Sequence, residues 1–179
     1  ELIASYEKQI PEIPPLDLFS HNQIAFDKIE SMYNSDTRVC VAHATGTGKS
    51  YLIASVLQKY QNHETIIVAP THIILKELKD KFHYLMRNSK TTTYAKVATL
   101  QKSKSVKCDL LILDEFHRAG ATTWGTGVQN ILDNNPEIIV FGASATPYRY
   151  FEQRDMSNEL FEGHVASDLS LPKAIANQI

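Results

Sequence analysis

The chain has 179 residues, of which 43% are hydrophobic and 21% charged, and its formal net charge is −2. This composition is typical of one globular domain with its own core, and it excludes a strongly basic protein whose overall field would attract nucleic acid. The sequence contains no apolar run long enough to span a membrane and no signal peptide. The 2 cysteines, Cys40 and Cys108, fall in expected strands and indicate buried, reduced thiols in a cytoplasmic setting.

Strands and helices alternate along most of the sequence. Residues 1–18 are proline-rich and predict a leader or connector, and Ser20 is the expected cap of a helix from His21 to about Met32. The expected strands cover 39–43, 65–69, 94–99, 109–113 and 138–142, and the expected helices cover 48–60, 71–87 and 123–133. Short apolar strands alternating with helices predict an α/β fold with a mostly parallel central sheet flanked by helices on both faces.

A glycine-rich turn joins the first expected strand to the next helix, with the sequence HATGTGKS over residues 43–50. Small residues there let backbone N–H groups converge on phosphate oxygens, and the helix N-terminus adds its positive partial charge. Lys49 can reach the β- and γ-phosphates and Ser50 can ligate Mg²⁺. His43 stands where the usual pattern begins with glycine. The expected ATP-binding residues in this turn are Thr45, Gly46, Thr47, Gly48, Lys49 and Ser50.

Two further segments follow the ends of expected strands. Asp114 and Glu115 come directly after the strand at 109–113. One carboxylate can hold Mg²⁺ opposite Ser50, while the other orients and deprotonates the attacking water. The segment 144–147, Ser-Ala-Thr-Pro, follows the strand at 138–142 and is by itself an ordinary turn. Ligands of parallel sheets bind at the carboxyl ends of the strands, where all these segments lie.

The order ATGTGKS, VAPT, DEFH and SATPYR resembles the first motor domain of a superfamily 2 helicase or translocase of the DExH type. It is most similar to the motor subunits of type I and type III restriction enzymes. The resemblance implies a RecA-like ATP-binding domain over residues 19–150, followed by an exit segment, 151–179, toward a second motor domain. It also implies ATP and Mg²⁺ as cofactors. The implied partners are nucleic acid, with DNA favoured over RNA, a second RecA-like domain of the longer chain, and restriction–modification or other protein subunits.

The resemblance also implies a role for individual residues. Lys49 and Glu115 are the implied catalytic residues, Ser50 and Asp114 the Mg²⁺ ligands, and Gln23 the reader of the adenine base. His117, Ser144 and Thr146 are implied to couple the acid motif to the face between the two lobes. The implied nucleic-acid contacts are Thr71, Thr99 and Gln101.

Several alternatives stay open at this point. The domain could be an ATP-dependent switch or scaffold with no motor activity on nucleic acid, whereas a small-molecule kinase would lack the acid motif and the Ser-Ala-Thr segment. The lysines at 96, 102, 104 and 107 could neutralise phosphates or form a solvated face, and Trp124 could stack on a base or anchor packing. Arginines that would complete the ATP site from a second lobe are missing, so we expect slow hydrolysis by this chain alone.

Overall fold

The computed structural model describes residues 13, 15–99, 106–150, 152–177 and 179, and at residues 122–124 it describes the backbone alone. Its strands are β1 (Arg38–His43), β2 (Thr65–Ala69), β3 (Ser89–Thr93), β4 (Leu110–Asp114), β5 (Ile139–Ser144), β6 (Tyr148–Arg149), β7 (Arg154–Asp155) and β8 (Val165–Leu169). Its α-helices are α1 (Ser20–Met32), α2 (Lys49–Lys59), α3 (His72–Phe82), α4 (Tyr94–Ala98), α5 (Thr122–Asn134), α6 (Met156–Phe161) and α7 (Leu171–Ala176). Short 3₁₀ turns cover His83–Leu85 and Phe116–Gly120.

Six strands form one parallel sheet in the order β3-β2-β4-β5-β1-β8, and the strands β6 and β7 form a separate antiparallel hairpin. The predicted α/β architecture is confirmed, and the described sheet is parallel throughout. The register brings the strand ends together, since Ala42 pairs with Ser144 and Asp114 pairs with Ala143. The carboxyl ends of β1, β4 and β5 therefore lie side by side. From these ends the chain continues into the phosphate loop, the acid motif and the Ser-Ala-Thr segment.

The sheet is buried on both faces. Alternate residues of each central strand point to opposite faces, so Leu110 and Ile112 join the core under α1, α2 and α3. Leu111 and Leu113 join the core formed with α4, α5 and α6. This two-sided burial explains why the central strands read as continuous apolar runs. Cys40 and Cys108 are free and buried, as the sequence predicts, and burial raises the pKa of each thiol to about 12.

The predicted strand at 94–99 is wrong. These residues form the short helix α4, and the strand lies earlier, at Ser89–Thr93. The side chain of Thr93 explains the switch, because its hydroxyl accepts the backbone N–H of Lys96 at 3.3 Å and caps the new helix. The strand itself has the polar sequence Ser-Lys-Thr-Thr-Thr and pairs on one side only, with β2.

Two predicted helix boundaries also need correction. Ser20 is the first residue of α1 instead of its cap, since Phe19 holds the cap position and no side chain caps this helix. The predicted helix over 71–87 ends at Phe82 and continues as the 3₁₀ turn His83–Leu85. Neither correction moves the strand ends on which the site depends.

The segment after residue 150 contributes to the central sheet. Its strand β8 pairs with β1 in parallel, and Phe161 of α6 is fully buried against the sheet. Gly142 makes this packing possible, because a Cβ at that position would lie 2.2 Å from the Phe161 ring. The sequence predicted only an exit segment here, without a strand. The division of the chain at residue 150 stays a prediction.

Candidate nucleotide-binding site

The phosphate loop between β1 and α2 depends on two glycines. Gly46 has a φ of +87° and Gly48 a φ of +84°, a left-handed region that other residues enter only with strain. Gly48 is also short of space, since a Cβ there would lie 2.3 Å from Nδ2 of Asn22. Because α2 begins at Lys49, its unpaired N–H groups open directly into the loop.

Hydrogen bonds hold the loop in shape. The Thr47 hydroxyl donates to the carbonyl of Ala44 at 2.7 Å, and the backbone N–H of Ala44 donates to the carbonyl of Leu169 at 2.9 Å. From α1, Nε2 of His21 donates to the carbonyl of Thr47 at 2.9 Å. The loop is therefore anchored to a neighbouring strand and a neighbouring helix.

His43 takes the place of the usual first glycine because it belongs to the strand as much as to the loop. Its side chain is fully buried, and its Nε2 lies 2.9 Å from the hydroxyl of Ser167 on β8. Only its carbonyl faces the loop, where it accepts a hydrogen bond from Lys49 at 3.0 Å. The imidazole of His43 therefore packs toward β8 and does not occupy the phosphate loop.

The ammonium group of Lys49 lies between the loop and the acid motif. It also reaches the carbonyl of Ala44 at 3.4 Å, and it is 3.4 Å from Oε1 of Glu115. The side chain is 12% exposed, so its charge is only partly screened by solvent. This is the arrangement expected of a lysine that binds phosphate oxygens in front of an acid pair.

Asp114 and Glu115 have opposite electrostatic environments. Burial raises the pKa of Asp114 to about 6, and the negative charge of Glu115 adds to the effect. For Glu115, burial alone would raise the pKa. The hydrogen bond from His117, the charge of Lys49 and the hydrogen bonds from Ala145 and Ser144 outweigh it and lower the value to about 2. Glu115 is therefore ionised at neutral pH. A nearby cation would stabilise the ionised form of Asp114 more than that of Glu115.

Glu115, His117 and Ser144 form a hydrogen-bonded triangle. Ser144 donates its hydroxyl proton to Oε2 of Glu115 at 3.1 Å, and Nδ1 of His117 lies 2.9 Å from the Ser144 oxygen. Since a serine hydroxyl has one proton, Nδ1 of His117 must carry a hydrogen and donate it. Thr146 joins through its backbone N–H, which donates to the same oxygen at 3.2 Å. The structure thus places His117 in contact with Ser144, and the coupling role that the resemblance implies for them stays a prediction.

A cavity of about 650 Å³ opens in front of these groups, a volume within the usual range for small-molecule sites. Its polar end is lined by the loop, Lys49, Ser50, Asp114 and Glu115. Its apolar end lies between α2 and α3, with Phe19 and Tyr51 among its walls. The structure thus brings the predicted phosphate, metal and water-orienting residues into one cavity.

The oxygen donors of Ser50 and Asp114 suit Mg²⁺. This ion prefers hard oxygen ligands and is usually held by one or two protein oxygens together with substrate phosphates and waters. Within the part of the chain that the structure describes, no group of three or more His, Cys, Asp or Glu side chains is arranged to hold a metal ion. Ser50 and Asp114 line the same cavity, so the two residues fit a Mg²⁺ ion bound there together with a nucleotide.

Gln23 is hydrogen-bonded within α1. It is exposed on α1, and its amide donates to Oδ1 of Asp27 on the next turn at 2.8 Å. Its neighbour Asn22 packs on the loop at Gly48 and is fully buried in a stripe with Ala25 and Ile29. The sequence analysis missed Asn22, because the apolar residues of α1 do not mark its buried face: Ile24 is exposed, whereas Asn22 is buried. The adenine-reading role of Gln23 stays a prediction.

The structure describes two of the three residues that are predicted to contact nucleic acid. Thr71 caps α3, accepting the backbone N–H of Ile74 at 3.4 Å, and Thr99 donates to the carbonyl of Lys96 at 2.7 Å. Both threonines are exposed beyond strand ends, whereas Gln101 lies outside the described residues, as do the lysines at 102 and 104. Lys107 donates to the carbonyl of Asn134, before the start of β4. It therefore lies at the opposite end of the sheet from Lys96.

The fold and the site define a RecA-like domain of a superfamily 2 helicase, similar to the motor subunits of restriction enzymes. The family described as "Type III restriction enzyme, res subunit" matches residues 15–106 and 90–149. The chain belongs to this family. No curated protein sequence matches it. Among the described residues, no helix has the length and apolar character needed to cross a membrane.

Solved structures share this fold at low sequence identity. A nuclease-deletion mutant of the Type ISP restriction-modification enzyme LlaGI, in complex with a DNA substrate mimic, has a TM-score of 0.72 at 15% identity, covering 92% of this chain and 21% of that chain. The UvsW helicase from bacteriophage T4 has a TM-score of 0.62 at 16% identity, covering 87% and 60%. The Sulfolobus solfataricus SWI2/SNF2 ATPase core in complex with dsDNA has a TM-score of 0.60 at 15% identity, covering 83% and 36%. The chain thus spans only part of each.

Proposed function

We propose that this domain binds Mg-ATP and hydrolyses it as the ATP-binding lobe of a motor that moves on nucleic acid. One observation carries the proposal. Lys49 lies 3.4 Å from Glu115, at the mouth of a cavity that Ser50 and Asp114 also line. Phosphate binding, metal binding and water activation therefore converge on one place, as phosphoryl transfer to water requires.

Each group has a distinct part in hydrolysis. Lys49 and the N-terminus of α2 bind the phosphates and stabilise the negative charge that develops on them. Ser50 and Asp114 hold the magnesium ion, which when bound neutralises charge on the phosphate oxygens. Glu115 orients the attacking water and accepts its proton. Because hydrogen bonds and the charge of Lys49 hold its pKa low, Glu115 is ionised before the reaction begins and can accept a hydrogen bond from the attacking water.

DNA is the favoured nucleic acid. Two proteins that share the fold were solved with DNA, one with a substrate mimic and one with duplex, and the family is that of restriction enzymes. Exposed Thr71 and Thr99, beyond the ends of neighbouring strands, are the proposed contacts, together with Gln101. A second RecA-like lobe supplies the arginines that speed hydrolysis, and restriction–modification subunits are the expected partners. A cytoplasmic location is part of the same proposal.

The test is the ATP hydrolysis rate of the full-length protein with duplex DNA, single-stranded DNA or RNA. We expect DNA to raise the rate, and we expect Glu115→Gln to lower turnover by at least about 10²-fold with little change in Mg-ATP affinity by calorimetry. Glu137→Gln, an exposed change before β5, is the matched control and should retain parent turnover. A rate that no nucleic acid alters would favour a switch or scaffold. Full turnover by Glu115→Gln would contradict the assignment of the base.

A further inference from the structure

Helix α1 places a buried amide against the phosphate loop. Asn22 is fully buried, and its Nδ2 would lie 2.3 Å from a Cβ added to Gly48, with its Cγ at 3.4 Å. The amide therefore packs directly on the loop residue that precedes α2.

Neither polar atom of Asn22 has a hydrogen-bond partner among the described residues. An unpaired buried amide is unfavourable, and native proteins rarely keep one without a function. Asn135 shows what a structural asparagine looks like in this fold. Its Nδ2 donates to the carbonyls of Val106 at 2.7 Å and Ile131 at 2.8 Å, and its Oδ1 accepts from the N–H of Cys108 at 3.3 Å.

The Asn22 amide lies beside the loop backbone at Gly48. The preceding residue, His21, already donates to the carbonyl of Thr47 at 2.9 Å, so α1 is attached to the loop at this point. Gly48 has a left-handed φ of +84°, and as a glycine it lets the peptide groups on either side of it take orientations that other residues would disfavour. Asn22 offers one acceptor and two donors within reach of those groups.

We propose that Asn22 is a positioning residue of the nucleotide site, whose amide hydrogen-bonds the backbone around Gly48 in the loop conformation that holds phosphate. The inference rests on the proposed function. The unpaired amide makes the protein without nucleotide less stable, and its pairing favours the loop that binds phosphate. Because Asn22 packs against Gly48, the loop residue that directly precedes α2, we expect it to act on binding of the triphosphate and not of the base.

The test compares Asn22→Leu with Asn135→Leu in the full-length protein, since leucine has the same number and branching of side-chain heavy atoms as asparagine but no polar atoms. The measurements are thermal unfolding without nucleotide, and calorimetric affinity for Mg-ATP and for Mg-tripolyphosphate, which has no base. We expect Asn22→Leu to unfold at a higher temperature than the parent and to bind both ligands at least ten-fold more weakly. We expect Asn135→Leu to unfold at a lower temperature and to bind both with parent affinity.

The outcomes separate the possibilities. Equal affinities of the parent and Asn22→Leu for both ligands would overturn the inference, as would a lower unfolding temperature for Asn22→Leu, which would mark a structural amide. Weaker binding of Mg-ATP with unchanged binding of tripolyphosphate would overturn it in favour of base contact. If the leucine variant does not fold, Asn22→Ala gives the same comparison of the two ligands. A parent protein that binds no Mg-ATP would overturn the proposed function and this inference with it.

Discussion

His43 carries a proton equilibrium that links the phosphate loop to stability. Burial, which is the largest cause, and the positive charges of His21 and Lys49 together lower its pKa from 6.5 to about 4. Between these two values the unfolded chain binds a proton that the folded chain does not. Stability from this residue is therefore fully present above pH 6.5 and is lost as the pH falls toward 4.

We predict that His43→Gln removes this part of the acid sensitivity. Between pH 7 and pH 4.5, the free energy of unfolding of the parent should fall by about 2 kcal/mol more than that of the variant, given about 1.4 kcal/mol for each pKa unit. Urea denaturation at the two pH values measures the difference. Parallel losses in parent and variant would show that His43 is not the buried neutral group that the structure describes.

Glu115 combines a strained backbone with a stabilised charge. It is a non-glycine residue with a φ of +51°, a conformation that costs energy and is concentrated at functional sites. The strain turns its carboxylate back toward Ser144 and Ala145, both of which donate to Oε2, at 3.1 and 3.2 Å. A residue that followed the strand direction would miss these donors, so the strain positions the carboxylate.

At the scale of elements, the sequence predicted the centre of the sheet and missed its edges. The strands β1, β2, β4 and β5 are buried on both faces and are therefore continuous apolar runs. Among the described strands, β3 and β8 lie at the two edges of the sheet. The β3 sequence, Ser-Lys-Thr-Thr-Thr, is polar, and the β8 sequence, Val-Ala-Ser-Asp-Leu, is interrupted by Ser and Asp, as is typical of edge strands that face solvent. Apolar patterning alone cannot distinguish such strands from loops.

The site could be predicted as far as its local motifs extend. The phosphate loop and the acid motif are contiguous in sequence, so their chemistry is readable from residue order. The choice between Asn22 and Gln23 depends on the rotation of α1 about its axis. That rotation is set by packing of Ala25 and Ile29 on the sheet, which becomes visible only once the buried face of α1 is known.

The close packing of α5 on its neighbours yields a prediction for Gly127. A Cβ at this position would lie 2.4 Å from the carbonyl oxygen of Val97 on α4. Glycine to alanine in a helix normally stabilises by about 0.5–1 kcal/mol, but here the contact is with backbone, which cannot move aside. We expect Gly127→Ala to destabilise the fold by about 1–3 kcal/mol, measured by urea denaturation. Gln129→Ala, on the exposed face of α5, should change stability little, and equal effects of the two changes would contradict the packing.

At the scale of the whole molecule, the chain covers only a fraction of proteins with the same fold, 21% of the LlaGI chain and 60% of UvsW. We predict that this 179-residue chain binds Mg-ATP but hydrolyses it slowly. Arginines supplied to such sites from another lobe accelerate hydrolysis by roughly 10³–10⁵-fold. Phosphate release by the chain alone should be slow and unchanged by duplex DNA. DNA-stimulated turnover by the chain alone would mean that it needs no second lobe, or that it self-associates to supply one.

We predict that coupling between hydrolysis and movement depends on His117. Its Nδ1 lies 2.9 Å from the hydroxyl oxygen of Ser144 and 3.4 Å from Oε2 of Glu115, so its ring is in direct contact with the proposed water-orienting carboxylate. Its carbonyl accepts a hydrogen bond from Arg149 at 3.0 Å, which ties the same residue to the hairpin of β6 and β7. A change at Glu115 can therefore reach an exposed element of the domain through one residue.

We predict that His117→Ala in the full-length protein separates the two activities. ATP hydrolysis should persist at a reduced level, because Lys49, Asp114 and Glu115 remain, while translocation or unwinding should fall by at least about ten-fold more, since the link to Ser144 is gone. Phosphate release and strand displacement, measured on the same preparation, give the ratio. His164→Ala is the matched control, since His164 lies 3.4 Å from Asp36, away from the nucleotide, and both activities should be kept. A proportional loss of both activities in His117→Ala would assign His117 to hydrolysis itself.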